Sequence, residues 1–260
     1  MRIVTFASGS SGNCSLVSCG TVNILIDAGI SMRRIVKGLA AFGLTPHDIC
    51  GVLITHEHSD HISGLPMLVK HHGVKAFTVP ELVCALEYIE PTLAPNIKCV
   101  ELNKPFMLGD IEVKAFRTPH DSKYSVGYRL IGDTVFAYAT DTGSVTHELV
   151  EGLMGAETVL IEANHDLQML RYGPYPPYLK RRIMSPTGHL SNDDCKKLAL
   201  LLANSGTKHI ILGHLSKENN TPEKAYKAVV GALKGLDVRL SVAPATDFLE
   251  VYTGESLCWE

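Results

Sequence analysis

The sequence lacks a C-x-x-C pair, and its seven cysteines (Cys14, Cys19, Cys50, Cys84, Cys99, Cys195 and Cys258) stand singly and in odd number. That excludes a disulfide framework and predicts reduced, mostly buried thiols. No stretch reaches the roughly 18 uninterrupted apolar residues that a membrane-spanning helix needs. The start, Met1-Arg2-Ile3-Val4-Thr5-Phe6, lacks the apolar core of a signal peptide. A soluble, cytoplasmic protein without a membrane partner is expected. No low-complexity segment or charge block marks a linker. A basic excess is missing too: the formal net charge of −3 argues against a surface that coats nucleic acid, though not against a local basic patch. What remains is 260 residues, 45% of them apolar, enough for a large core and read here as a single domain spanning 1–260.

Short β-rich runs alternate with helical windows throughout. Strands are predicted at 2–6, 14–18, 22–26, 51–54, 75–79, 111–117, 125–131, 134–139, 158–162, 209–212, 238–242 and 247–251. Gly109-Asp110 and Gly132-Asp133 read as hairpin turns, which makes the middle of the chain antiparallel. Ser191-Asn192-Asp193-Asp194 and Thr221-Pro222-Glu223 are helix starts, the second with proline at the first helical position. These two helices are expected to end near Gly206 and Gly235, and further helical windows follow His61, Pro80 and Ser144. The pattern implies an α/β fold, two sheets packed face to face with helices outside.

The strongest signal is Val52-Leu53-Ile54-Thr55-His56-Glu57-His58-Ser59-Asp60-His61, an apolar strand running into three histidines and an aspartate. Imidazole and carboxylate are the ligands that borderline divalent metals prefer. Alternate residues past a strand end turn in different directions, so two adjacent ions can share this segment. More ligands are needed, and each of His120, Asp141, His214 and Asp27 stands where an apolar run stops. Singly each would be an ordinary strand-terminal polar residue; together they suggest one site.

The order Asp27, His56-x-His58-x-Asp60-His61, His120, Asp141, His214 resembles the motifs of the metallo-β-lactamase superfamily along nearly the whole chain. The resemblance implies a four-layer αβ/βα sandwich with two divalent metal ions (Zn, Mn or Fe) at one edge of the sheets, and no organic cofactor. It implies that His56, His58 and His120 hold one ion and Asp60, His61 and His214 the other, that Asp141 bridges them, and that Asp27 orients ligands. A metal-activated hydroxide would attack the substrate. Asp60 can be read as a ligand or as a base that positions this water.

The fold alone leaves the substrate open among lactams, thioesters, lactones and phosphodiesters. Three segments point to phosphodiesters. Ser8-Gly9-Ser10-Ser11-Gly12-Asn13 can cradle a phosphate with Ser8, Ser10, Ser11 and Asn13, and serves equally as a tight turn. Glu162-Ala163-Asn164-His165-Asp166 and Gly188-His189-Leu190-Ser191 resemble elements of the nucleic-acid-processing branch that includes tRNase Z. By that resemblance His189 donates a proton to the leaving oxygen and Glu162 orients it, with His165 as the alternative donor. Arg171 to Arg182 interleaves cations with Tyr172, Tyr175 and Tyr178 in a Pro-rich, irregular stretch. There Tyr175, Lys180 and Arg181 are candidate contacts to bases and phosphates, although an exposed basic helix start reads the same.

Together with Gly213-His214-Leu215-Ser216-x-Glu218-Asn219-Asn220, these segments resemble the bacterial YycJ/WalJ family. Its members are regarded as metal-dependent nucleases, some with 5′-exonuclease activity on duplex DNA, so a DNA substrate is implied. The β-CASP insertion of RNase J relatives and a long tRNA-clamping exosite are both missing. Two alternatives stay open: a carbonyl-directed hydrolase (thioesterase or lactonase), and a metal- or nucleic-acid-binding module without catalysis. His47, His71, His72, His147 and His209 are read as structural or exposed.

Overall fold

The computed structural model describes residues 1–253. Among them are two seven-stranded sheets. The first contains β1 (Arg2–Ala7), β2 (Cys14–Cys19), β3 (Val22–Ile26), β4 (Gly51–Leu53), β5 (Ala76–Thr78), β6 (Ile97–Cys99) and β14 (Leu249–Tyr252), in the order β14-β1-β2-β3-β4-β5-β6. The second contains β7 (Pro105–Leu108), β8 (Ile111–Arg117), β9 (Val126–Ile131), β10 (Val135–Ala139), β11 (Thr158–Glu162), β12 (His209–Gly213) and β13 (Arg239–Val242), running β13-β12-β11-β10-β9-β8-β7.

Both sheets follow one plan. The β1–β2–β3 and β8–β9–β10 segments pair antiparallel, and from β3 and β10 onward the pairing becomes parallel through β6 and β13. Parallel strands need long crossovers, and these supply the helices. They are α1 (Met32–Ala41), α2 (Ser59–Ile62), α3 (Leu65–His72), α4 (Pro80–Ile89), α5 (His147–Leu153), α6 (Leu167–Tyr172), α7 (Pro177–Ile183), α8 (Asn192–Asn204) and α9 (Pro222–Val230). Side-chain alternation sorts the core. Leu160 and Ile211 join the large apolar cluster shared with the first sheet, whereas Val159, Ile161, Ile210 and Leu212 pack with Leu149, Leu198, Leu202 and Val229 of the covering helices. With strands covered on both faces, β3, β11 and β12 are buried at every position.

This topology places the site. In an antiparallel run alternate strands point the same way, so β1 and β3 share a direction, as do β8 and β10. The carboxyl ends of β3 and β4 therefore come to one edge of their sheet, and those of β8, β10, β11 and β12 to one edge of theirs. Ligand sites form at such strand ends, where the connectivity changes sense. Among the described residues, three of the four non-glycine positions with positive φ lie there: Asp27 (58°), Asp141 (54°) and His214 (53°). Left-handed backbone costs such residues about 1 kcal/mol each; Asp and His tolerate it better than most.

Most predicted strands match within two residues. β6 and β7 were not among them: each has three or four residues, sits at or beside a sheet edge and exposes part of its length, so no periodicity betrays it. Helix α1 was also absent from the predicted set. The 171–182 segment is not irregular, because Pro177 opens α7 and the end of α6 lies at Tyr172. Ser191 and Thr221 cap α8 and α9 as expected. Helix α9 stops at Val230 and is followed by a 3-10 turn, Gly231–Leu233. Among the described cysteines, all free, only Cys14 and Cys195 are buried and Cys50, Cys84 and Cys99 are exposed, which corrects the expectation of mostly buried thiols; Cys258 lies outside the described residues. No described helix is long and apolar enough to cross a membrane.

Candidate metal centre

The segment after β4 is extended through Ile54, Thr55 and His56 and then coils into the single turn α2, with His58 at its cap. The change from extended to helical backbone sends its side chains in two directions. His56 and His58 meet His120 from the end of β8, with His56 Nε2 3.1 Å and His120 Nε2 3.3 Å from His58 Nδ1. Asp60 and His61 meet His214 from the end of β12; Asp60 Oδ2 lies 3.6 Å from His61 Nε2 and 3.4 Å from His214 Nε2. Each trio brings three donor atoms within 4.8 Å of one another. Asp141 reaches both: its Oδ2 is 3.1 Å from His61 Nε2, and its Oδ1 is 3.6 Å from both His120 Nε2 and His214 Nε2.

The opposite nitrogens explain why these faces point inward. His61 Nδ1 is 2.7 Å from Asp27 Oδ2, His56 Nδ1 3.0 Å from Thr55 Oγ1, His120 Nδ1 3.1 Å from the Gly188 carbonyl, and His214 Nδ1 2.9 Å from Glu162 Oε1. An imidazole that donates from Nδ1 presents an Nε2 lone pair, the tautomer a metal requires. Asp27 is itself fixed, accepting from Thr55 N at 2.9 Å and from Thr55 Oγ1. The main chain is strapped as well: Asn13 N donates to Asp60 O at 2.8 Å and Ala28 N to His61 O at 2.8 Å.

The donor set fits a divalent cation. Asp141 Oδ2 is buried and makes no well-aligned hydrogen bond, although His61 Nε2 lies 3.1 Å away. The Asp27, Asp141 and Glu162 carboxylates are each at most 2% exposed, and buried anions require compensating positive charge. Burial disfavours ionisation of Asp141, yet positive charge on the His214 and His61 rings, which this carboxylate in turn favours, outweighs it and holds the carboxyl well below the usual range; a bound cation would supply that charge with both rings neutral. Burial, reinforced by His61, pushes the pKa of His56 well down, and burial also lowers that of His120, so both favour the neutral ligand form.

Beside the trios opens a cleft of about 230 Å³, lined by His58, Asp60, Asp141, His189 and His214 together with Ser10, Asp121, Asn164, Tyr175, Leu179 and Arg182. His189 Nδ1 is 2.7 Å from Glu162 Oε1, and Glu162 Oε2 accepts from the main-chain N–H groups of Thr142 and Leu190 at 2.7 and 3.2 Å. Burial opposes the charge on Glu162, but His189 and His214 hold its pKa down to about 2. His165, the alternative donor, is 1% exposed, does not line the cleft, and burial lowers its pKa to about 4.

The phosphate-contact expectations need correction in part. Ser10 and Tyr175 line the cleft. Ser8 does not: its hydroxyl is buried and accepts from His214 N at 2.9 Å, so it holds that residue in its left-handed conformation. Asn13 is fully buried, bonded to Gly9 and Asp60 and 3.0 Å from His61 Nε2. Ser11 is exposed but outside the cleft lining. Lys180 Nζ donates to the Arg171 and Gly173 carbonyls, closing the α6–α7 loop, and Arg181 is exposed away from the cleft. The sequence reading missed Arg182, which sits three positions after Leu179 on the same face of α7. It also missed Thr55, which fastens Asp27, His56 and His61, and whose only sequence signal is its place before His56.

Residues 22–215 match the model of a family described as a beta-lactamase superfamily domain. Exodeoxyribonuclease WalJ of Streptococcus pneumoniae is 38% identical over 240 residues, covering 91% of this chain and 89% of that protein. Exodeoxyribonuclease YycJ of Bacillus anthracis is 35% identical over 236 residues, covering 90% and 89%. Among solved structures, Zn(2+)-bound PqqB from Methylobacterium extorquens superposes with a TM-score of 0.75 at 18% identity, covering 97% of this chain and all of that one. The short form of human tRNase Z gives 0.62 at 18% identity, covering 98% and 100%. The chain therefore belongs to the metallo-β-lactamase superfamily, in the family of the WalJ and YycJ proteins.

Proposed function

We propose that the protein is a metal-dependent exodeoxyribonuclease that cleaves phosphodiester bonds through two divalent ions, zinc, manganese or iron. In this reading His56, His58 and His120 would hold one ion and Asp60, His61 and His214 the other, with Asp141 within reach of both groups. Asp27 fixes His61. Both sheets donate residues to one centre, which supports reading 1–260 as a single hydrolase domain. Bound divalent cations would acidify a water and draw charge from the substrate oxygen.

The observation that carries the phosphodiester reading is the His189–Glu162 pair: His189 lines the cleft and the fully buried Glu162 fixes its Nδ1. An alkoxide leaves poorly unless protonated, and a histidine fixed through Nδ1 keeps Nε2 for that proton. A thioester, which expels a stable thiolate, needs no such donor. The exodeoxyribonuclease names of the WalJ and YycJ relatives support DNA as the substrate, and 5′ polarity is the direction expected. Ser10 and Tyr175 would contact the strand from the cleft wall.

The test is end-labelled duplex DNA and RNA offered to protein that has been chelated and then reloaded with manganese or zinc. Metal-restored release of nucleotides from 5′ DNA ends is expected. No cleavage alongside rapid turnover of a thioester or lactone would overturn the reading in favour of a carbonyl-directed hydrolase. Tight duplex binding with no turnover of any substrate would leave a binding module.

A further inference from the structure

Helix α7 brings Leu179, Arg182 and Ile183 to the cleft, three positions on one helical face. Among the described residues Arg182 is the one Lys or Arg in the lining, in a cleft that also holds the Asp60, Asp121 and Asp141 carboxylates. Beyond the ions that the donor trios would hold, a substrate phosphate passing Asp121 would gain from a fixed side-chain cation. The Arg182 guanidinium forks onto Asp121, Nε to Oδ2 and Nη2 to Oδ1 at 3.1 Å. Asp121 Oδ1 lies in turn 3.5 Å from His120 Nε2, a nitrogen of the first donor trio. The Asp121 carboxylate thus spans the distance from the donor trio to the guanidinium. A phosphodiester can span it the same way, with two non-bridging oxygens on one atom, and an arginine fork suits either group.

We infer that Arg182 is the cleft's phosphodiester-binding residue and that Asp121 holds its place until the substrate displaces it. Binding is then an exchange of anions on one guanidinium. The Asp121 and Arg182 side chains are 23% and 55% exposed, so the displaced carboxylate has solvent to turn into. Lys180 and Arg181 do not line the cleft.

This inference rests on the phosphodiesterase reading, and two assays separate their failures. In metal-loaded enzyme with bis(p-nitrophenyl) phosphate and end-labelled DNA, Arg182→Ala should raise KM about ten-fold or more on both substrates, the usual effect of losing a charged hydrogen bond. Arg182→Lys should fall between, and Asp121→Asn should lower KM by freeing the guanidinium. An unchanged KM in Arg182→Ala would overturn the inference. So would a raised KM in Asp121→Asn, which would make the pair a brace for α7. If the wild-type protein cleaves no phosphodiester, calorimetric titration of the chelated protein with inorganic phosphate tests Arg182 by itself. Tighter binding to Asp121→Asn than to wild type, lost in the double variant with Arg182→Ala, supports the assignment. Binding that survives Arg182→Ala, or none to Asp121→Asn, overturns it.

Discussion

Glu162 Oε1 lies 2.7 Å from His189 Nδ1, and the same oxygen is 2.9 Å from His214 Nδ1. One carboxylate oxygen thus orients the proposed proton donor and a proposed metal ligand together, from a fully buried position at the end of β11. Coupling of this kind gives two substitutions different signatures. His189→Ala should lower kcat by roughly 10²–10⁴-fold with metal content unchanged. Glu162→Gln should lower kcat and also weaken metal binding about 10–100-fold, because an amide cannot serve both imidazoles and the Thr142 and Leu190 N–H groups. Metal analysis by mass spectrometry beside steady-state kinetics checks this; equal metal loss in both variants would contradict the separation.

Gly29 marks a second constraint. A Cβ there would lie 1.6 Å from the Asp60 carbonyl oxygen, so the His58–His61 turn packs on a residue with no side chain. Gly29→Ala should cost about 2–3 kcal/mol in the metal-free protein and weaken metal binding by displacing Asp60 and His61. Gly231, with nothing within 4 Å of its Cβ position, is the control. Its alanine variant should unfold within about 0.5 kcal/mol of wild type. Urea unfolding of the two variants distinguishes close approach from a general effect of replacing glycine.

Away from the centre, His209 on β12 has its Nε2 2.8 Å from Ser241 Oγ. Burial, aided by the Arg239 charge, lowers its pKa from the ordinary 6.5 to about 4. Between those values the unfolded chain carries a proton that the folded chain lacks, so its contribution is complete above about pH 6.5 and is lost as pH falls toward 4. The chelated wild-type protein should therefore take up about one more proton on unfolding near pH 5 than His209→Gln. Parallel plots of unfolding free energy against pH would contradict this.

Much of this was legible in the sequence because both the fold and the donors are written at strand ends. An apolar run stopping at Asp27, His56, His120, Asp141 or His214 says where each strand ends, and strands of one direction end together. What stayed hidden depends on contacts that local pattern does not encode. Ser8 and Asn13 looked like a phosphate cradle, but the β1–β2 connection is folded inward. There Ser8 meets His214 across 206 positions of chain and Asn13 meets Asp60 across 47. Lys180 and Arg181 outranked Arg182 only while their stretch was read as irregular; once α7 is a helix, its phase turns Arg182 to the cleft. The short strands β6 and β7 carry too few residues for a period to emerge.

The most direct test of the account is metal titration of chelated protein, following hydrolysis of bis(p-nitrophenyl) phosphate against equivalents of manganese or zinc added. Activity should require the second equivalent and plateau at about two per chain, the stoichiometry of a two-metal site. Full activity at one equivalent, or no hydrolysis at any loading, would contradict it.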